Sequence, residues 1–229
     1  TQGNALQDVY LKGKVKNPLL YSPDSSLYDI AKTVFHPVML REHFRCVPDI
    51  IGYSNLFNYD GKIKPLRDTR DCNIVPAVIN YRTPGHQDPG GKKKINEIEG
   101  QYIVALMKAC MAEPEYKGKT FGVISLLGDQ QAEYIQNLLV QDIGPLAYSE
   151  RNILCGDAAN FQGDERDVIF LSMVYSNEEE GPLRLVGTGN KDAIKKRYNV
   201  AVSRAKDQLW VVHSLDESKD LKPGDIRKE

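Results

Sequence analysis

The chain has 229 residues, a length that suits one large domain better than two. Hydrophobic residues make up 41%, enough to close a core without disulfides. Lys and Arg number 30 and Asp and Glu 31; the resulting net charge of -1 argues against holding nucleic acid by bulk charge but leaves room for a local basic groove.

The four cysteines, Cys46, Cys72, Cys110 and Cys155, are far apart and form no C-x-x-C pair. They read as reduced, partly buried thiols of an intracellular, cytoplasmic protein. The histidines do not cluster with them, so no metal site is expected on this chain. No apolar run approaches the ~20 residues of a membrane span and no signal peptide opens the chain, so no membrane partner is expected. The first residue is Thr1 rather than Met, which reads as the start of a piece of something longer.

In chain order, Pro18, Pro23 and Ser25-Ser26 mark a loop-rich lead-in, with a short helical turn at 29–32. Val38-Met39-Leu40 is a short apolar run. Pro48 sits where a helix can begin, and Ile50, Ile51, Ser54, Leu56 and Phe57 continue it. Residues 59–62 (Tyr-Asp-Gly-Lys) form a turn. Ile74 to Ile79 reads as a strand that Pro76 confines to a sheet edge. A Pro/Gly/Lys loop covers 82–94. Asn96 followed by Glu99 marks a helix start, and Ile95, Ile98, Tyr102, Ile103, Leu106 and Cys110 recur at helical spacing down to Glu113-Pro114. Residues 120–126 form a strand, and a helix runs from about Asp129 with Ala132, Ile135, Leu138 and Leu139 on one face. Further strands are expected at 152–155, 168–173 and 209–212, and the acidic run Glu178-Glu179-Glu180 reads as an exposed loop. Apolar strands alternating with helices predict an α/β fold, a parallel sheet covered by helices on both faces. The tail beyond Leu215 is charged and reads as frayed or exposed.

Three local patterns mislead. Gly118-Lys119-Thr120 ends like a phosphate-binding P-loop, but position 113 is Glu and the triplet precedes a strand instead of following one. Gly128-Asp129-Gln130-Gln131 reads as a helix cap. Lys92-Lys93-Lys94 is a charge run, open as a solvated loop or a phosphate contact.

The most informative stretch is Phe161-Gln162-Gly163-Asp164-Glu165-Arg166-Asp167, a polar loop running into the apolar strand Val168 to Ser172. It is followed, after the acidic loop, by Arg197-Tyr198-Asn199-Val200-Ala201-Val202-Ser203-Arg204-Ala205-Lys206 and then the strand Leu209 to Val212. Upstream stands His43-Phe44-Arg45-Cys46-Val47-Pro48. These stretches resemble the fifth, sixth and fourth motifs of superfamily-one helicases, in the branch of the nonsense-mediated-decay helicases. The resemblance covers about Val38 to Asp225 and implies a RecA-like second motor domain without a P-loop of its own. It divides the chain into a lead-in at 1–37, the RecA-like domain at 38–215 and a charged tail at 216–229.

The resemblance implies a set of roles. Arg204 is the arginine finger and Arg45 a second cation at the γ-phosphate of ATP, where positive charge accelerates transfer on the order of a thousandfold. Arg197, seven residues before Arg204 and about two helical turns away, is either a further nucleotide contact or a helix-surface arginine. Phe44 stacks on the adenine base, or else is core. Glu165 binds a ribose hydroxyl, Gly163 lets a backbone N–H approach a phosphate, and Gln162 joins the network. Asp167 ties the loop together. Ser125 stands where the family places a nucleic-acid-contacting Thr. Asp157 stands where the family has another such Thr, and reads either as a strand-facing position or as a loop brace bonded to backbone N–H groups.

The family's P-loop and Mg²⁺-binding acidic motif do not occur here, so ATP and Mg²⁺ are expected to be held jointly with a first RecA-like domain elsewhere in the polypeptide. The whole protein is expected to be an ATP-dependent helicase or translocase on single-stranded nucleic acid, DNA ahead of RNA, with movement 5′ to 3′, and this chain alone inactive. The alternative is a non-catalytic nucleic-acid- or protein-binding module that keeps the fold. A small-molecule α/β enzyme lacks a nucleophile–base set.

Overall fold

The computed structural model describes residues 14, 26–70, 72–84, 94–175, 191–225 and 227. The expected loops at 85–93 and 178–180 lie outside the described residues. The chain forms two compact units, Thr1–Leu40 and Arg41–Glu229. In the first, helix α1 (Leu27–Ala31) starts with a capping box: the Ser26 hydroxyl accepts from Asp29 N–H and the Asp29 carboxylate accepts from Ser26 N–H.

The second unit contains a short parallel pair, β1 (Glu42–His43) and β2 (Lys64–Pro65), and a five-stranded sheet. Helix α2 (Pro48–Asn58) lies between β1 and β2 in sequence, with Pro48 at its first turn. The sheet contains β3 (Val78–Arg82), β4 (Phe121–Ser125), β5 (Leu154–Asp157), β6 (Arg166–Ser172) and β7 (Ala205–His213). They run in the order β3-β7-β6-β4-β5, all parallel. The crossovers include α3 (Glu97–Ala112), α4 (Gln130–Glu150) and α5 (Lys191–Val202), and α6 (Glu217–Asp220) follows β7. Helix α4 is broken at Gly144-Pro145, where Gly144 takes φ +80°.

Side chains alternate along the central strands and build a core on each face. Ile124, Ile169, Leu171 and Leu209 face Ile50 and Ile51 of α2 and Tyr198, Ala201 and Val202 of α5. Phe121, Val123, Val168 and Phe170 face Ile103 and Met107 of α3 and Ile135 and Leu139 of α4. This is the parallel sheet covered on both faces that the sequence predicts.

Two expectations shift. The first strand of the sheet begins at Val78, after Pro76, and lies at the sheet edge. The segment beyond Leu215 is not frayed throughout: Leu221 and Asp225 are buried, Asp225 pairs with Arg227 at 2.7 Å, and the Arg227 guanidinium lies over the Tyr175 ring.

Candidate nucleotide site

Strands β6 and β7 are neighbours, and Arg166 pairs in register with Ala205. The residues just ahead of them, Glu165 and Arg204, are therefore delivered side by side at the amino-terminal end of the sheet. The Arg166 N–H donates to the Arg204 carbonyl at 3.0 Å and fixes that juxtaposition. The third partner, Arg45, follows β1, whose parallel ladder with β2 and the bond from Val47 N–H to the Lys206 carbonyl at 2.9 Å dock it beside β7.

At the centre, Arg45 Nε donates to Glu165 Oε2 at 2.5 Å and Arg45 Nη1 to the Ser203 carbonyl at 3.4 Å. Arg204 donates to the Val200 carbonyl at 3.1 Å and to the Asp164 carbonyl at 3.2 Å. Burial lowers the Arg204 pKa, and the neighbouring charge of Arg45 lowers it further. Two guanidiniums thus sit close together on a rigid frame, a cost that an incoming polyanion would relieve. Beside them opens a cleft of about 580 Å³ whose walls include Phe44, Arg45, Arg67, Glu165 and Lys206. Phe44 is 63% exposed, so the core alternative for its ring falls and a free aromatic face remains. His43 accepts from Cys46 N–H through Nε2 at 3.0 Å, and its pKa is lowered by burial and then by Arg45 and Arg204. Burial pushes the Cys46 thiol up to about 12 despite the three arginines around it, so it is no nucleophile.

The loop before β6 is held from below. Phe161 is fully buried, and its ring packs so close to Gly122 that a Cβ there would come within 2.9 Å. This anchor leaves Gln162, Gly163, Asp164 and Glu165 at the surface. Gly163 takes φ +94° with open space where a side chain would be, which leaves its backbone approachable. The buried Arg166 side chain donates to Asp164 Oδ1 at 3.0 Å and to the Glu165 carbonyl at 2.7 Å.

Asp167 ties this end of the sheet together, and its side-chain partners lie outside the loop it was expected to brace. It accepts from Thr120 N–H and Thr120 Oγ1, both at 2.8 Å, and pairs with Lys206 at 2.8 Å. Burial pushes its carboxyl up, but Lys206 and the Thr120 donors outweigh this and hold it below the usual carboxylate range. The P-loop-like triplet is thereby spent: Thr120 serves Asp167, and Lys119 pairs with the buried Asp207 at 2.7 Å.

Three expected site residues stand elsewhere. Arg197 is exposed but reaches the Leu126 carbonyl, just past the carboxyl end of β4, at 3.4 Å. Helix α5 stops at Val202 and Arg204 lies on the turn beyond it, so the two arginines serve opposite ends of the sheet. Ser125 is 1% exposed and its hydroxyl accepts from Leu127 N–H at 3.4 Å, so its side chain offers no surface to a strand. Asp157 is the brace: Oδ1 accepts from Ala159 N–H at 2.8 Å and Asn160 N–H at 3.0 Å, while Asn160 Oδ1 accepts from Asp157 N–H at 2.9 Å. Sequence reasoning missed Arg67 and Asp207. No sequence signal marked either, because Asp207 stands between Lys206 and Gln208 in the polar start of β7 and Arg67 lies in a stretch without a motif. Among the described residues no group of three or more His, Cys, Asp or Glu is placed to hold a metal ion, and no helix is long and apolar enough to cross a membrane.

Comparison with known proteins shows the family. An AAA domain family matches residues 24–216. The mouse 5'-3' DNA helicase ZGRF1 is 27% identical over 198 residues, covering 84% of this chain and 10% of that protein. The uncharacterized ATP-dependent helicase MG140 of Mycoplasma genitalium is 30% identical over 188 residues, covering 75% and 15%. The Drosophila melanogaster homolog of regulator of nonsense transcripts 1 is 25% identical over 191 residues, covering 77% and 15%. The chain thus spans only 10 to 15% of the length of these relatives. With the family match extending over most of its length, the chain belongs to this AAA-domain family, and the relatives it resembles include proteins named as helicases.

Proposed function

We propose that this chain is the C-terminal motor domain of an ATP-dependent helicase or translocase, acting on single-stranded nucleic acid, DNA ahead of RNA. In this reading the nucleotide lies between this domain and a first RecA-like domain of the same polypeptide, which also supplies the Mg²⁺ ligands. The observation that carries the proposal is the convergence of Arg45, Arg204 and Glu165 beside an exposed aromatic ring, at the amino-terminal end of the sheet.

ATP supplies the phosphoanhydride bond whose cleavage drives the motor. The residues present suit it: Phe44 offers a face to the base, Glu165 can accept from a ribose hydroxyl, and the Gly163 backbone can approach a phosphate. Arg45 and Arg204 neutralise charge that builds on the γ-phosphoryl oxygens. Arg204 already points its donors at neutral carbonyls, so it can turn to a phosphate without abandoning a carboxylate. Arg45 must exchange Glu165 for the phosphate. That ion pair is about a third to a half exposed and contributes on the order of 1 kcal/mol or less, a small barrier to exchange. Arg197, Ser125 and Asp157 carry no part of the nucleotide chemistry in this account.

In the full-length protein, Arg204→Ala should lower kcat on the order of a thousandfold while leaving the Kd of a non-hydrolysable ATP analogue within a few-fold. Arg45→Ala should lower kcat and also weaken analogue binding. Wild-type ATP hydrolysis by both variants would overturn the assignment.

A further inference from the structure

We propose that Arg67 is the positioning residue for Arg45, setting the place of that cation through its backbone. The inference rests on the nucleotide-site reading above. Arg67 lies just beyond β2, in a stretch with no motif. Its Nη1 donates to the Arg45 carbonyl at 2.9 Å and also to the Lys206 carbonyl. Its Nη2 donates to Asp207 Oδ1. One planar guanidinium therefore clasps the chain at Arg45 to the first residues of β7, two residues beyond Arg204. No regular strand pairing joins the 43–47 segment to β7, and besides the Val47 to Lys206 bond this clasp makes the connection.

The clasp has the features of a positioning device. Arg67 is mostly buried and its Nη1 and Nη2 donate to the protein, although it lines the cleft. Asp207, 1% exposed, is shared between Arg67 and Lys119, so loss of Arg67 leaves the carboxylate one cation. The frame between β4 and β7 then persists, and the 43–47 segment keeps its Val47 to Lys206 bond, but the Arg45 backbone loses its hold on β7. A lysine at this position keeps the charge for Asp207 but, as a compact ammonium, cannot span two carbonyls and a carboxylate in the planar geometry of the fork.

The test uses the full-length protein, ATP turnover stimulated by single-stranded DNA, and a non-hydrolysable ATP analogue for Kd. Arg67→Lys should lower kcat by on the order of tenfold to a hundredfold, as small displacements of a catalytic group do, with melting temperature close to wild type and any rise in Kd no larger than that of Arg45→Ala. Combined with Arg45→Ala it should add almost nothing to the loss caused by Arg45→Ala alone, because both act through one guanidinium. Should Arg67→Ala fail to fold, Arg67→Lys still decides the matter. A multiplicative loss in the double variant, or unchanged turnover in Arg67→Lys, overturns the proposal. So does weakened analogue binding with kcat intact, which makes Arg67 a direct ligand. If instead Arg45→Ala and Arg204→Ala are themselves at wild-type turnover, it is the nucleotide-site reading that falls.

Discussion

Glu99 is a carboxyl group with no exposure and no cation among its hydrogen-bond donors. The Ser172 hydroxyl donates to it at 2.5 Å, Val174 N–H at 3.0 Å, and Asn96 Nδ2 to its other oxygen at 3.4 Å. Burial pushes its pKa from 4.5 up to about 7, against the pull of those donors. A folded-state value above the unfolded one means that the native protein holds a proton which the unfolded chain releases. The stability this contributes is fully present below about pH 4.5 and is lost as pH rises through about 7. Glu99→Gln mimics the protonated acid and should remove the dependence. Its melting temperature should therefore gain on the wild type between about pH 5 and pH 8, and a constant difference across that range sinks the argument. His43, depressed by burial and by Arg45 and Arg204, acts in the opposite sense, losing its contribution as pH falls below its ordinary 6.5. It is present in both proteins and cancels. The spacing of Asn96 and Glu99 is legible as a helix cap, and the cap bond from Glu99 N–H to Asn96 Oδ1 is made at 3.1 Å. What a cap signal cannot disclose is where the Glu99 carboxyl goes, because Ser172 and Val174 meet it only through the fold.

At the scale of elements, motif and periodicity located the strands and helices well, and the misplacements have local causes. Ser125 ends β4, an inner strand whose five residues are all buried, so a hydroxyl there is enclosed by the protein. Arg197 and Arg204 would share a helix face only if α5 continued, and it stops at Val202. The loop from β5 to β6 was the most readable connection, because a carboxylate that can bond to nearby N–H groups locks a turn wherever it falls. Asp157→Thr should lose one of the two bonds to Ala159 and Asn160 and lower stability by about 1 kcal/mol. Binding of the full-length protein to single-stranded DNA, titrated with salt, should not change. Tighter, salt-sensitive binding at an unaltered melting temperature would show that Asp157 opposes a phosphate instead.

At the scale of the whole unit, the two ends of the sheet differ. Open α/β sheets commonly bind ligands beyond the carboxyl ends of their strands, where the winding reverses. Here that point lies between β4 and β6, and polar side chains of the chain itself occupy its vicinity. Asn96 and Gln131 exchange hydrogen bonds, Asn96 reaches Ser214, and Ser214 meets Thr83, all of them buried. The cluster of Arg45, Glu165 and Arg204, which we propose meets the nucleotide as one half of a shared site, lies at the opposite end. The isolated 229-residue chain should therefore fold yet hydrolyse no ATP above background, and robust Mg²⁺-dependent hydrolysis by the pure chain would contradict the shared-site account.

The strand order also dictates when that half-site comes into being. Strand β3 is the first of the five to be made and β7 the last, yet they are partners: Val78 pairs with Leu209. Closing that pair draws a loop of about 130 residues together, a separation that makes sheet completion slow. A growing chain thus carries β3 with no partner until β7 leaves the ribosome. Arg204 stands one residue ahead of β7, and the docking site for Arg45 lies on Lys206 and Asp207 at the beginning of the same strand. The arginines cannot meet in any shorter nascent chain, so the cleft is born in the last step of assembly, together with the sheet's final edge.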